Sequence, residues 1–231
     1  MRKTVLNVPV WLWLAFLAFA AVFVAFPGLD LWFSGLFYRP GEGFPTRGGW
    51  DEQLVCRSVG FLLLWGNLLL IALWLFNRFV SRSPGRFGGK ELFFSLLLLA
   101  VAPGLIVNTL LKENWGRARP IRLEQFGGTG QFSPALLPSD HSGGSFSSGH
   151  AAGAFYWVAV AALAARRRRV WVGLAVAYGV VVGLFRIAAG AHFLSDVLMS
   201  FFIVVIVGLM LHGLIFGASP PARKAVETPR G

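Results

Sequence analysis

The chain has 231 residues, of which 56% are hydrophobic and only 13% charged, and its mean hydropathy is +0.66. That balance excludes an ordinary soluble globular domain and points to a membrane protein. The formal charge of +11 would suit a nucleic-acid partner if the bases formed one patch, but they are dispersed between apolar runs.

Six predominantly apolar stretches, at 8–26, 58–77, 91–111, 150–165, 170–188 and 193–216, predict an all-α polytopic bundle of six transmembrane helices. The first follows Arg2 and Lys3 and contains "AFA", which resembles a signal-peptide cleavage site. It runs from Val8 to Phe26, longer than the ~7–15 apolar residues of a cleavable leader, so an uncleaved helix is favoured. Between the runs, Arg2, Lys3, Arg78, Arg82, Arg86, Lys90, Arg166 to Arg169, Arg223, Lys224 and Arg230 fall on one side of the six-span map. The positive-inside rule then predicts both termini in the cytoplasm and reads "RRRR" as a topological anchor, with no nucleic acid bound. Residues 1–216 form one domain on this map, and "GASPPARKAVETPRG" from Gly217 reads as a disordered tail. Cys56 is the only cysteine, so no intrachain disulfide or cysteine metal cluster is available.

Two longer segments fall on the opposite face. Residues 27–57 carry Trp32, Phe33, Phe37, Tyr38 and Trp50 and suit the interface. Residues 112–149 are punctuated by glycine and proline and predict a turning cap over the outer end of the bundle. Trp115 and Trp171, near predicted span ends, also suit an interfacial belt.

Polar residues interrupt the apolar pattern at three outer helix ends. In "KENWGRARP", Lys112 and Arg119 lie seven residues apart and share a helix face if the helix persists to Pro120. In "FSSGH", Ser148 can cap the helix beginning at Gly149, ahead of His150, and such an N-terminus attracts an anion. In "RIAAGAHFLSD", His192 and Asp196 have the spacing at which a carboxylate holds an imidazole nitrogen, with Arg186 nearby at the end of the preceding span. Taken singly these have plainer readings. His192 with Asp196 can be a structural pair, Lys112, Arg117 and Arg122 can snorkel to headgroups, and His212 can face another helix. Asn67 and Asn108 read as interhelical hydrogen-bond formers, and His141 as a loop residue within reach of substrate. Together, three cations, a helix N-terminus and two histidines complement a phosphate whose transfer needs a nucleophile and an acid.

At these residues the chain resembles the type 2 phosphatidic acid phosphatase (PAP2) superfamily, over roughly residues 90–215. Its three motifs stand here as Lys112 with Arg119-Pro120, as Ser148-Gly149-His150, and as Arg186 with His192 and Asp196. Ser147 replaces the usual proline and Phe185 the usual serine, which removes one hydroxyl from the expected phosphate contacts. The resemblance implies a PAP2-like bundle and attack by His192 to give a phosphohistidine, with Asp196 orienting His192 and His150 as the acid. Lys112, Arg119, Ser148, Gly149 and Arg186 would bind phosphate, with no metal and no cofactor.

The segment from Asn114 to His150 is similar to bacterial members that dephosphorylate lipid A. That likeness implies a bacterial inner-membrane enzyme whose site faces the periplasm and takes a lipid phosphate from the outer leaflet, among membrane lipids as its surroundings. Undecaprenyl pyrophosphate and phosphatidylglycerophosphate are alternative substrates of the same motifs. A non-enzymatic anionic-lipid transporter is the alternative of another class, although transport sites lie nearer the midplane than these charges do.

Overall fold

The computed structural model describes residues 3–80, 87–140 and 143–217; His141, Arg82, Arg86, the bases before Lys3 and the tail from residue 218 lie outside the described residues. A short antiparallel hairpin, β1 (Thr4–Val5) with β2 (Val8–Pro9), precedes α1 (Val10–Ala25). Pro27 lies at the break, and α2 (Gly28–Gly35) leaves it bent by 86° from α1. Then follow α3 (Trp50–Phe79), α4 (Gly89–Asn114), α5 (Gly149–Ala161), α6 (Arg168–Ala188) and α7 (Leu194–Phe216).

Helices α3, α4, α6 and α7 are long and apolar enough to cross a membrane, and α1 with α2 makes a fifth if the bent pair is one span. The protein is therefore a multi-pass membrane protein. Helix α5 has 13 residues, and at about 1.5 Å per residue it falls short of the ~30 Å hydrocarbon layer. Exposed Leu14, Leu17, Leu64, Leu69 and Leu174 give the bundle an apolar exterior.

Helix α5 is instead the centre of the bundle. Its sequence GHAAGAFYW places small residues where neighbouring backbones approach, and Ala151, Ala152, Ala154, Phe155 and Tyr156 are buried. It packs with Phe94, Leu98 and Val107 of α4, Ile187 of α6, and Val197 and Val204 of α7. Gly179 lies against Phe155, and Gly183 against Val197, so a side chain at either position would meet a packed neighbour. A second cluster joins Leu12, Phe19 and Phe23 of α1 to Met199, Phe202 and Ile206 of α7.

Pro103 lies inside α4 and has no N–H to give the helical ladder, and the stretch from Ala100 to Leu111 winds with the wider π spacing. Asn108 donates its side-chain N–H to the Pro103 carbonyl at 2.8 Å, a bond within one helix and not the interhelical one expected. Asn67 of α3 does bond between helices, accepting from the Tyr156 hydroxyl at 2.7 Å. His212 packs edge-on against Phe94 of α4, as a helix-facing structural residue should.

The connection from α4 to α5 caps one end of the bundle. It is fastened by Ile121 N–H to the Gly190 carbonyl and by Trp115, whose indole donates to the Ala135 carbonyl and stacks on Phe146. Phe44, Ala118, Leu123, Phe126 and Phe193 form a small apolar cluster beneath it. Gly190 turns with a φ of +63° against the Phe44 ring, a conformation and a proximity that a side chain would not tolerate.

Candidate active site

All three motif clusters meet beneath this cap. Helix α4 ends at Asn114, and Gly116, with φ +70°, turns the chain before Arg119. Lys112 and Arg119 are therefore not brought together by helical spacing, as the sequence suggested, but by the folding back of the segment after α4. Lys112 lies within electrostatic range of Arg119 and Arg186, and His150 within range of Arg186, His192, Lys112 and Arg119. The five groups thus share one site. Burial, followed by the charges of Arg186, Arg122 and Arg47, lowers the Arg119 pKa from its ordinary value.

Two of the guanidinium groups carry unused donors. Arg119 Nε and Arg186 Nε are buried and have no hydrogen-bond partner, a costly state for a charged group unless an anion completes it. Arg186 is aimed from the opposite side by Glu52, whose Oε1 accepts from Nη1 at 2.6 Å, with Cys56 Sγ 3.2 Å from the same nitrogen. Glu52 is fixed in turn by the Gly48 N–H at 2.7 Å.

Ser148 is the N-cap of α5, its Oγ accepting from the Ala151 N–H at 3.4 Å, so its own proton is free to donate elsewhere. Gly149 opens the helix and fits against the Asn108 amide, leaving no room for a Cβ. Its neighbour Ser147, at the position where proline was expected, has a buried hydroxyl with no partner. Phe185 is partly buried on α6.

His192 lies in the turn before α7, two residues ahead of its first residue, and is 2% exposed. Its Nδ1 is 2.8 Å from the Ser145 carbonyl oxygen, which can only accept. Nδ1 therefore carries the proton, and in the neutral ring Nε2 keeps its lone pair. Asp196, expected to hold the imidazole, stands beside it at ion-pair distance, with Oδ2 3.7 Å from Nδ1, longer than a hydrogen bond. That oxygen instead accepts from Ser145 Oγ at 2.6 Å and from Phe193 N–H at 2.8 Å. Ser145 thus orients the ring, and Asp196 orients Ser145. Burial pushes the His192 pKa below its ordinary value; Asp196 opposes this, and Arg186 and Arg119 add to it.

The other Asp196 oxygen accepts from Arg117 Nη1 at 2.5 Å. Arg117, expected to reach for headgroups, is 0% exposed and is the most completely enclosed cation of the site. It also donates to Asp30 Oδ2 at 2.7 Å, to Ser195 Oγ and to the Ser133 carbonyl, and lies over the Phe193 ring. Asp30, Glu52, Arg117 and Ser145 are the residues that sequence reasoning missed. Asp30 had a readable signal, a lone carboxylate within "FPGLDLWF".

A profile of the PAP2 superfamily matches residues 93–219, which contain all three clusters. The chain belongs to the PAP2 superfamily. It is 32% identical over 200 residues to a lipid A 4'-phosphatase of Francisella tularensis subsp. novicida strain U112, covering 84% of this chain and 89% of that one. It is 33% identical over 208 residues to a lipid A 4'-phosphatase of Rhizobium leguminosarum, covering 82% and 87%. The fold is also that of the transmembrane PAP2-type phosphatidylglycerolphosphate phosphatase from Bacillus subtilis, with a TM-score of 0.56, 24% identity and coverage of 90% and 94%.

Proposed function

We propose that this PAP2 protein is a membrane lipid phosphatase that removes a phosphate monoester from lipid A. The observation that carries the proposal is the pair of unpartnered, buried Arg119 and Arg186 Nε groups beside an imidazole whose Nδ1 is committed to a carbonyl. The relatives named above, aligned over most of the length of each chain, supply the substrate class.

In the proposed reaction, Nε2 of neutral His192 attacks phosphorus in line with the ester oxygen. The N–P bond forms as the P–O bond to the sugar breaks, and protonated His150 gives its proton to the departing oxygen. Lys112, Arg119 and Arg186, with the Ser148 hydroxyl and Gly149 N–H, hold the equatorial oxygens as their charge redistributes. Water then attacks the phosphohistidine with His150 as base, releasing inorganic phosphate and restoring both histidines. The scheme draws on no metal and no cofactor.

The proposed topology counts α1 with α2 as one span and lets the chain cross once more at α5, too short to span the lipid layer alone but enclosed by α4, α6 and α7, giving six crossings within a single domain of residues 1–216. Both termini then face the cytoplasm, and the capped end with its site faces the periplasm of an inner membrane. Lipid headgroups of the outer leaflet are the partners this orientation provides.

The test is phosphate release by purified protein from lipid A, phosphatidylglycerophosphate and undecaprenyl pyrophosphate, with and without chelator, alongside His192→Ala. Preference for lipid A, inactivity of the variant and indifference to chelator are expected. A variant that retains activity, or full loss with chelator, would refute the scheme; preference for another lipid would refute the substrate.

A further inference from the structure

We propose that Asp30 is a positioning residue for chemistry at His192, acting through Arg117 to determine how much of the Asp196 charge remains available to the imidazole. The proposal rests on the phosphohistidine reading above and extends it to a residue outside the region 93–219 that the family profile matches.

The geometry is a row of alternating charges. Asp30 Oδ2 lies 2.7 Å from Arg117 Nη2, Arg117 Nη1 lies 2.5 Å from Asp196 Oδ1, and Asp196 Oδ2 lies 3.7 Å from His192 Nδ1. Every member is buried, from 0% exposed for Arg117 and Asp196 to 2% for His192, so water does little to screen one member from the next. Asp30 is held in place independently of Arg117, with Ser195 N–H donating to Oδ1 at 2.9 Å and Ser195 Oγ to Oδ2 at 2.5 Å.

Before attack, Asp30, Arg117 and Asp196 together carry one net negative charge and the imidazole is neutral. When Nε2 bonds to phosphorus, the ring keeps its Nδ1 proton and becomes cationic, so the row becomes neutral. Without the Asp30 charge, the row starts neutral and ends with an uncompensated buried cation, beside Arg119 and Arg186, which already oppose positive charge on His192. The Asp30 carboxylate therefore matters more as the N–P bond forms than while substrate is merely bound, and an interaction of that kind acts on kcat. A purely structural role, stapling α2 to the start of α7, would cost stability and leave the chemistry of the folded protein alone.

The experiment uses the full-length protein in detergent or proteoliposomes with lipid A labelled in its phosphate. Alkaline quench, which preserves phosphohistidine, follows the label on His192, while steady-state assays give kcat and KM. Asp30→Asn is expected to slow both label formation and kcat by about 10- to 100-fold with KM within about twofold, and Asp30→Glu to recover label formation to within about threefold of wild type. A folded Asp30→Asn protein that acquires label at the wild-type rate, or that loses only in KM, would overturn the proposal. If Asp30→Asn does not fold, folded Asp30→Glu decides: label formation within about threefold of wild type supports the proposal, and a fall beyond about tenfold overturns it. Absence of histidine-bound label in the wild type is a separate result, which removes the phosphohistidine reading and this inference with it.

Discussion

The N-terminal part of the molecule, β1 to α3, and the PAP2 region, from α4 to α7, contribute to the site in opposite currencies. The PAP2 region provides every group that the proposed reaction places around the phosphate: Lys112, Arg119, Ser148, Gly149, His150, Arg186 and His192. The N-terminal part provides two carboxylates, and each is spent on an arginine of the other part, Asp30 on Arg117 and Glu52 on Arg186. The difference teaches that two of the guanidinium groups of the site, those of Arg117 and Arg186, are oriented and partly balanced by carboxylates from outside the region that carries the motifs. It also explains how so apolar a segment as 183–202 tolerates Arg186, His192 and Asp196: each is paired or hydrogen-bonded to at least one partner from outside the segment, Glu52, Ser145 and Arg117 respectively.

The largest test of that division is removal of the proposed nucleophile. His192→Ala should lower kcat by about 10⁴-fold or more while the protein still extracts and sediments as wild type. Arg119→Ala comes next, since it deletes a buried, unpartnered donor that the proposed reaction aims at phosphate, and a loss of about 10²- to 10³-fold in kcat/KM is expected from initial-rate assays. Glu52→Gln keeps the shape but withdraws the charge opposite Arg186. About a tenfold loss in kcat/KM is expected, and a loss as large as that of Arg119→Ala would break the distinction between the two regions.

The pH dependence sharpens the same point. Because burial depresses the His192 pKa, the ring stays neutral below the pH at which a free histidine protonates, and the acid limb of kcat/KM that reports it should fall with a midpoint under ~6.5. For stability the sign is fixed by proton uptake: below the ordinary histidine pKa the unfolded chain binds a proton that the folded ring does not. This contribution is therefore complete above that value and declines as pH falls through it, measurable as a lower Tm in acid. The smallest effect is expected far from the charges. Tyr156→Phe leaves Asn67 Oδ1 without its donor from α5 and should cost about 1 kcal/mol of stability, with phosphatase activity per folded molecule unchanged.

The positions of α4, α6 and α7 and the convergence of the motif residues were legible in the sequence because apolar runs, spaced basic residues and paired histidines each have a local signature. The bend after α1 was less so: Pro27 was visible, but not that α2 would turn through 86° and carry Asp30 toward the start of α7. Arg117 was misread because an arginine two residues from another at a helix end looks like a solvated charge, and nothing local announces two carboxylates from distant segments. Ser145 was invisible for a related reason. Its backbone carbonyl does the orienting, and a carbonyl carries no sequence identity.

The Phe193 N–H donates to the same Asp196 oxygen that takes the Ser145 proton, so this carboxylate also closes the first turn of α7. Architecture and reactivity are soldered together at one side chain. A lost carboxylate there would unwind the start of the last span and swing the adjacent imidazole at the same moment, so inactivity of an Asp196 mutant cannot by itself be scored as a chemical defect. Trimming the Ser145 hydroxyl, which leaves that turn closed, is the cleaner dissection.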